Sequence, residues 1–167
     1  MAGPAVAELL YLLDRAFDGD EEHSLPANLA SVTPDDWAWK PAPGGRSIRA
    51  IAYHSGVAKR LYADHLSGPA TPTYEGVLRA APATKDPSEP GVVIAWLRDG
   101  HRALRDGIAA LADDDLSIVR RTHFGEMFET RRIIAAVTAH DIYHAGEINH
   151  LRALRQGDDR WPWQPAT

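Results

Sequence analysis

The chain contains no cysteine. That excludes a disulfide scaffold, thiolate zinc sites, iron–sulfur clusters and a cysteine nucleophile. Basic charge is also short, since 18 Lys and Arg against 23 Asp and Glu leave a net charge of −5. A nucleic-acid partner, which needs a concentrated cationic surface, is therefore not expected. No apolar run reaches the roughly 18 residues of a membrane span. Residues 1–13 lack a basic leader region and Glu8 interrupts their apolar run, so no secretion signal is expected. What remains is 167 residues, 44% apolar and 25% charged, enough to close one hydrophobic core. The expectation is a single domain over residues 1–167, cytoplasmic, with no membrane partner. Its chemistry must come from His, Asp, Glu, Ser, Thr or Tyr.

Four segments carry helical periodicity, and strand alternation of comparable length is missing. Residues 5–17 place Val6, Leu9, Leu10, Leu13 and Phe17 at helical spacings, closed by Gly19 and the acidic stretch 18–22. Pro26, Pro34, Pro41, Pro43 and Gly44–Gly45 predict a long loop without regular structure, whose Trp37 and Trp39 pack onto the body. Ser47 is a candidate N-cap for a second helix reaching about Leu66. The proline-rich stretch 70–90 reads as a crossover. A third helix is expected over 91–112, with Val93, Leu97, His101, Leu104, Ile108 and Leu111 on one stripe, and Gly100 and Gly107 allowing close helix contact. Asp113, Asp114 and Asp115 read as a solvated helix end. Residues 118–128 suggest an irregular element or short hairpin turning near Phe124–Gly125. A fourth helix begins after Thr130, a candidate N-cap, and reaches Arg155 before Gly157. The tail at 161–163 is too proline-rich to be helical. The pattern is an all-α, four-helix bundle with long crossover connections.

Histidine is the unusual enrichment, with eight residues. His140 and His144 lie four apart on a helix, so both imidazoles share a face and reach one ion at about 2.0–2.1 Å. Their stripe (Ile133, Val137, His140, His144, Ile148, Leu151) is the core-facing one. Buried imidazoles need partners, because an unpaired buried polar group costs about 1–3 kcal/mol. The competing reading is a pair that simply hydrogen-bonds to its neighbours. A third ligand would come from another helix. His54, on the stripe Ser47, Ile51, His54, Ala58, Leu61, and His101, between Leu97 and Leu104, both remain open on this ground. His23, His65, His123 and His150 read as surface or loop residues. The tryptophans Trp37, Trp39, Trp96, Trp161 and Trp163 read as core or lid packing.

At this point the residues resemble a family. The run His140-Asp-Ile-Tyr-His144-Ala-Gly146-Glu147-Ile148 resembles the HxxxHxGQI signature of the DinB-like superfamily. The run Trp37-Ala-Trp-Lys-Pro41 through Ser47-Ile48-Arg-Ala-Ile51-Ala-Tyr-His54 is similar to that family's loop and second-helix entry. The resemblance implies a four-helix bundle, often dimeric, with a divalent metal on three histidines, here His54, His140 and His144. It thereby favours His54 over His101. The family includes thiol-dependent transferases and isomerases that use mycothiol, bacillithiol or glutathione. One departure stands out, since Glu147 replaces the usual glutamine. A carboxylate there could join the coordination sphere, orient water or act as the base; the competing reading is a surface acid paired with Arg131 or Arg152.

Other chemistries fit less well. Glu147 and His150 spell ExxH, but the second helix has no glutamate and the third none past Glu89, so a di-iron site is not expected. A phosphotransfer role for His54 needs an exposed ring, whereas its stripe faces inward. HExxH, GxSxG and phosphate-loop patterns do not occur. The expectation that the resemblance implies is a metal-dependent enzyme. His54, His140 and His144 hold zinc or nickel, with iron or manganese as alternatives, and Glu147 is the candidate catalytic base. The ion would activate water or a low-molecular-weight thiol toward a small electrophile, in a transferase, isomerase or hydrolase-like reaction, within a homodimer. The rival reading is a non-enzymatic, metal-stabilised bundle serving as a stress-response or interaction module.

Overall fold

The computed structural model of the protein describes residues 3–19, 24–30, 32–82 and 90–160. Four long helices dominate: α1 (Pro4–Asp18), α4 (Ile48–Ser67), α6 (Pro90–Ala109) and α7 (Thr130–Gln156). Three short helices decorate the connections, α2 (Leu25–Ala30), α3 (Pro34–Ala38) and α5 (Tyr74–Arg79). A 3-10 turn (Asp113–Ser117) leads into an antiparallel hairpin of β1 (Val119–Arg121) and β2 (Met127–Glu129), with Arg120 opposite Phe128. Gly125 takes φ 93° at its turn, a left-handed conformation that glycine adopts without a Cβ penalty. His23, Trp161, Trp163, the acidic stretch past Gly19, residues 83–89 of the proline-rich stretch and the tail lie outside the described residues.

α1 packs against α6 and α7, and so does α4, which fixes the cyclic order α1–α6–α4–α7. The first long connection therefore crosses a diagonal of the bundle. The 68–89 stretch, in contrast, joins neighbours, and the second diagonal step is made by the 3-10 turn and hairpin between α6 and α7. The α4–α6 contact is the most extensive. A Cβ at Gly56 would collide with the Trp96 ring, while Gly100 faces Arg60 and Lys59, and Gly107 faces Ser67.

The core falls into two hydrophobic clusters. One holds Leu13, Ala58, Leu104 and Val137; the other holds Phe17, Ala52, Leu97 and Ala145. Every long helix steps from one to the other across a polar position: Asp14 in α1, His54 in α4, His101 in α6, and His140, Asp141 and His144 in α7. A polar layer thus crosses the bundle at mid-height.

Several local expectations are refined. Ser47 caps α4 as expected, its hydroxyl accepting the Ala50 N–H at 3.2 Å. Gly157 closes α7 at φ 85°. The loop expected between the first two helices contains α2 and α3, because Pro26 and Pro34 occupy first-turn positions where no N–H is needed. Trp37 of α3 is fully buried, and Trp39 packs on the same cluster. α6 stops at Ala109, three residues early, since the Asp115 carboxylate accepts the Ala112 N–H at 2.8 Å and starts the 3-10 turn. Thr130 is the first residue of α7 and not its cap; its hydroxyl donates to the Ile118 carbonyl at 2.8 Å, tying helix to hairpin.

The aspartate run is more than a solvated end. The Asp113 carboxylate accepts the N–H groups of Ala5 and Val6 at 3.1 and 2.9 Å, capping α1 from 107 residues away. Asp113→Ala is expected to lower stability by about 0.5–2 kcal/mol. Asp114→Ala, at an exposed neighbour, should stay within about 0.5 kcal/mol of wild type. Denaturant titration of both variants checks the difference.

Candidate metal centre

Three imidazoles converge between α4 and α7. Nε2 of His140 lies 3.0 Å from Nε2 of His54 and 3.1 Å from Nε2 of His144. Two nitrogens bound to one zinc at tetrahedral angles stand about 3.3 Å apart, so the three atoms are already spaced as ligands of one ion. The ligand atoms all lie within 4.8 Å of one another, the only such group of three or more among the described residues. α7 supplies two of them because residues four apart share a face.

The outer nitrogen of His144 fixes that ring's tautomer. His144 Nδ1–H donates to Glu147 Oε2 at 2.8 Å, which leaves Nε2 as a lone pair turned inward. His54 Nδ1 stands 3.2 Å from the Tyr74 hydroxyl of α5. His140 Nδ1 is buried with no hydrogen-bond partner among the described residues. A proton on His140 Nε2 could serve only one of its two neighbours at a time, whereas three unprotonated Nε2 atoms at this spacing are the donor set of a divalent metal site. Burial, reinforced by the neighbouring His144, pushes His54 down to about 4 and His140 to about 3. His144 is also lowered by burial, against the pull of Glu147. All three rings are therefore neutral near pH 7, the ligating form.

Glu147 stands behind His144 rather than beside the converging nitrogens. Both its oxygens accept from Arg46 Nη2, at 2.9 and 2.7 Å. Arg46 lies in the loop ahead of α4. The arginines expected from sequence are engaged elsewhere, Arg131 with Glu129 and Arg152 with Asn149.

His101 is not part of this group. Its ring stacks on Phe17 at 3.8 Å, its Nδ1 accepts from Lys59 Nζ at 3.1 Å, and its Nε2 faces Asp14 Oδ1 at 3.4 Å. The family model of the DinB superfamily matches residues 19–148, a span that includes His54, the 140–144 pair and Glu147. The chain belongs to the DinB superfamily. Comparison with curated proteins finds no match.

Around the DinB histidines, several residues escape a sequence reading. Lys59 and Asp141 are both fully buried and form an ion pair of 2.6 Å. Lys59 also lies over the Phe17 ring at 4.3 Å. Burial lowers Lys59 and raises Asp141, with each partner opposing the shift. Asp141 had one visible signal, its place between two histidines on an inward stripe. Tyr74 and Arg46 had none, since both lie on connections. His65 is buried and not a surface residue: Nδ1–H donates to the Arg121 carbonyl at 2.8 Å, locking α4 to β1. His123 is half-buried, edge-on to Tyr62, whereas His150 is exposed as expected.

Burial, with Lys59, Arg105 and Arg98 in support, depresses His101 to about 3. Above pH 6.5 the ring is neutral in both folded and unfolded chains, and its contribution to stability is complete. Below that, the unfolded chain takes up a proton that the folded one resists, so the contribution is lost as pH falls toward 3. Metal-free wild type should lose up to about 1.4 kcal/mol more per pH unit than His101→Gln between pH 6 and 4. Urea titrations across that range measure the difference in slope.

Proposed function

We propose that the protein is a divalent-metal-dependent enzyme that activates water or a low-molecular-weight thiol for attack on a small electrophile. The observation that carries this reading is the convergence of three neutral Nε2 atoms from two helices. Zinc or nickel suits an all-imidazole set best, with iron or manganese as alternatives. Bound by three neutral imidazoles, such an ion would supply Lewis acidity for deprotonating a water or a thiol near neutral pH. With no cysteine in the chain, any thiol comes from a cosubstrate.

The remaining work falls to this chain's own side chains. His54, His140 and His144 hold the ion. Glu147 keeps the proton of His144 on Nδ1 and orients the ring, while Arg46 holds Glu147 in place and balances its charge. In this reading Glu147 is a positioning residue, because its oxygens are engaged by Arg46 and His144 and do not face the converging nitrogens. Tyr74, with its hydroxyl 3.2 Å from His54 Nδ1, positions that ring. We also place a homodimer contact on the outer face of α7, where Ala135, Ala136, Ala139, Ile142 and Tyr143 form an exposed stripe; Tyr143 is 65% exposed.

Alanine at position 54, 140 or 144 should reduce bound zinc or nickel from about one equivalent to near zero, as read by elemental analysis of protein from metal-supplemented cells. Unchanged metal content would refute the centre. Glu147→Ala, which removes the acceptor of the His144 Nδ1–H, should keep the stoichiometry and weaken affinity about 10- to 100-fold. Turnover of an electrophile that depends on both metal and an added thiol or water supports the enzyme. Metal-dependent thermal stabilisation with no turnover across a panel of thiols would assign a structural role instead. Tyr143→Glu should halve the mass found by light scattering if the α7 face joins two copies, and leave it unchanged if it does not.

A further inference from the structure

Taking the three imidazoles as a metal centre, we infer that the buried Lys59–Asp141 ion pair, with His101, is the register key that sets α4 against α7 and so brings His54 to His140 and His144. Asp141 follows His140 directly and lies one turn before His144. Lys59 lies five residues beyond His54 on α4. Their 2.6 Å contact therefore spans the same two helices as the histidine group, at the same height in the bundle.

The surroundings explain why the pair selects one arrangement. Above and below lie apolar contacts that mix small side chains such as Ala52, Ala58 and Ala145 with large ones such as Ile51, Tyr62, Val137 and Ile148. Apolar attraction is non-directional and rewards burial without naming one register. The ion pair does name one, because both groups are fully buried and any displacement strands a charge in hydrocarbon. His101 widens the lock to a third helix, accepting from Lys59 at 3.1 Å while stacked on Phe17 of α1. Asp14 completes the layer at 3.4 Å from His101 and is itself held by Arg105 at 2.9 Å. The key thus ties all four long helices together at the level where the ligands must meet. Stability alone does not account for it, since well-packed apolar residues of similar volume serve as well or better. Fixing a register is the best-attested use of such a buried polar contact.

The test replaces both partners, as Lys59→Met with Asp141→Leu in the full chain, and reads three quantities. These are the unfolding midpoint of metal-free protein, the zinc affinity by chelator competition, and the nuclear Overhauser contacts between the ring protons of residues 54 and 140. The double variant is expected to keep a midpoint at or above wild type, lose at least tenfold in zinc affinity and lose the 54–140 contact. Wild-type affinity with the contact retained would overturn the register role. If the double variant does not fold, His101→Phe decides: a three- to tenfold loss of affinity supports the role, and a value within twofold of wild type overturns it. Failure of the metal reading looks different. A wild type that takes up no zinc but shows the ring contact, lost in the double variant, sinks the metal centre and leaves the register key standing.

Discussion

Polar groups placed at mid-height in a helical bundle must be satisfied sideways, because hydrocarbon lies above and below them. This constraint organises the molecule. Asp14, His101, Lys59 and Asp141 answer it by bonding across the bundle from helix to helix. The three histidines at the α4–α7 seam answer it with nitrogen atoms turned toward one another. Both solutions demand that helices distant in sequence meet at fixed height and rotation. The apolar clusters on either side supply the driving force for burial, and the polar layer supplies the alignment.

The same layer shapes the electrostatics of the centre. Lys59 offsets Asp141, and Arg46 offsets Glu147, so each carboxylate near the imidazoles comes with its own cation. The charge of an ion held there is left uncompensated by its surroundings. An ion held there would keep its charge available to polarise what it binds.

Much of this was legible in the sequence, and the rest was illegible for physical reasons. Long apolar stripes such as Val6–Leu10–Leu13–Phe17 survive any tertiary context, so the four main helices stand where periodicity puts them. α2, α3 and α5 are five or six residues long, too short for a period to register, and the prolines of α2 and α3 read as breakers until the first-turn position is seen. His140 and His144 are visible because helical spacing is local. His54 and His101 both lie on apolar stripes, and only the motif resemblance separates them; the distinction is which helix each ring faces. Lys59 and Asp141 are 82 residues apart, and nothing in either local stretch announces a partner. The distant cap of α1 by Asp113 is hidden in the same way.

α7 runs unbroken for 27 residues, a rod of about 40 Å. His140 and His144 are carried on one turn of that rod, so their backbones keep a fixed separation. The third ring comes from a separate helix, and its distance from the pair is set by how α4 seats against α7. The spacing of the three nitrogens is therefore a property of the whole bundle rather than of any one helix.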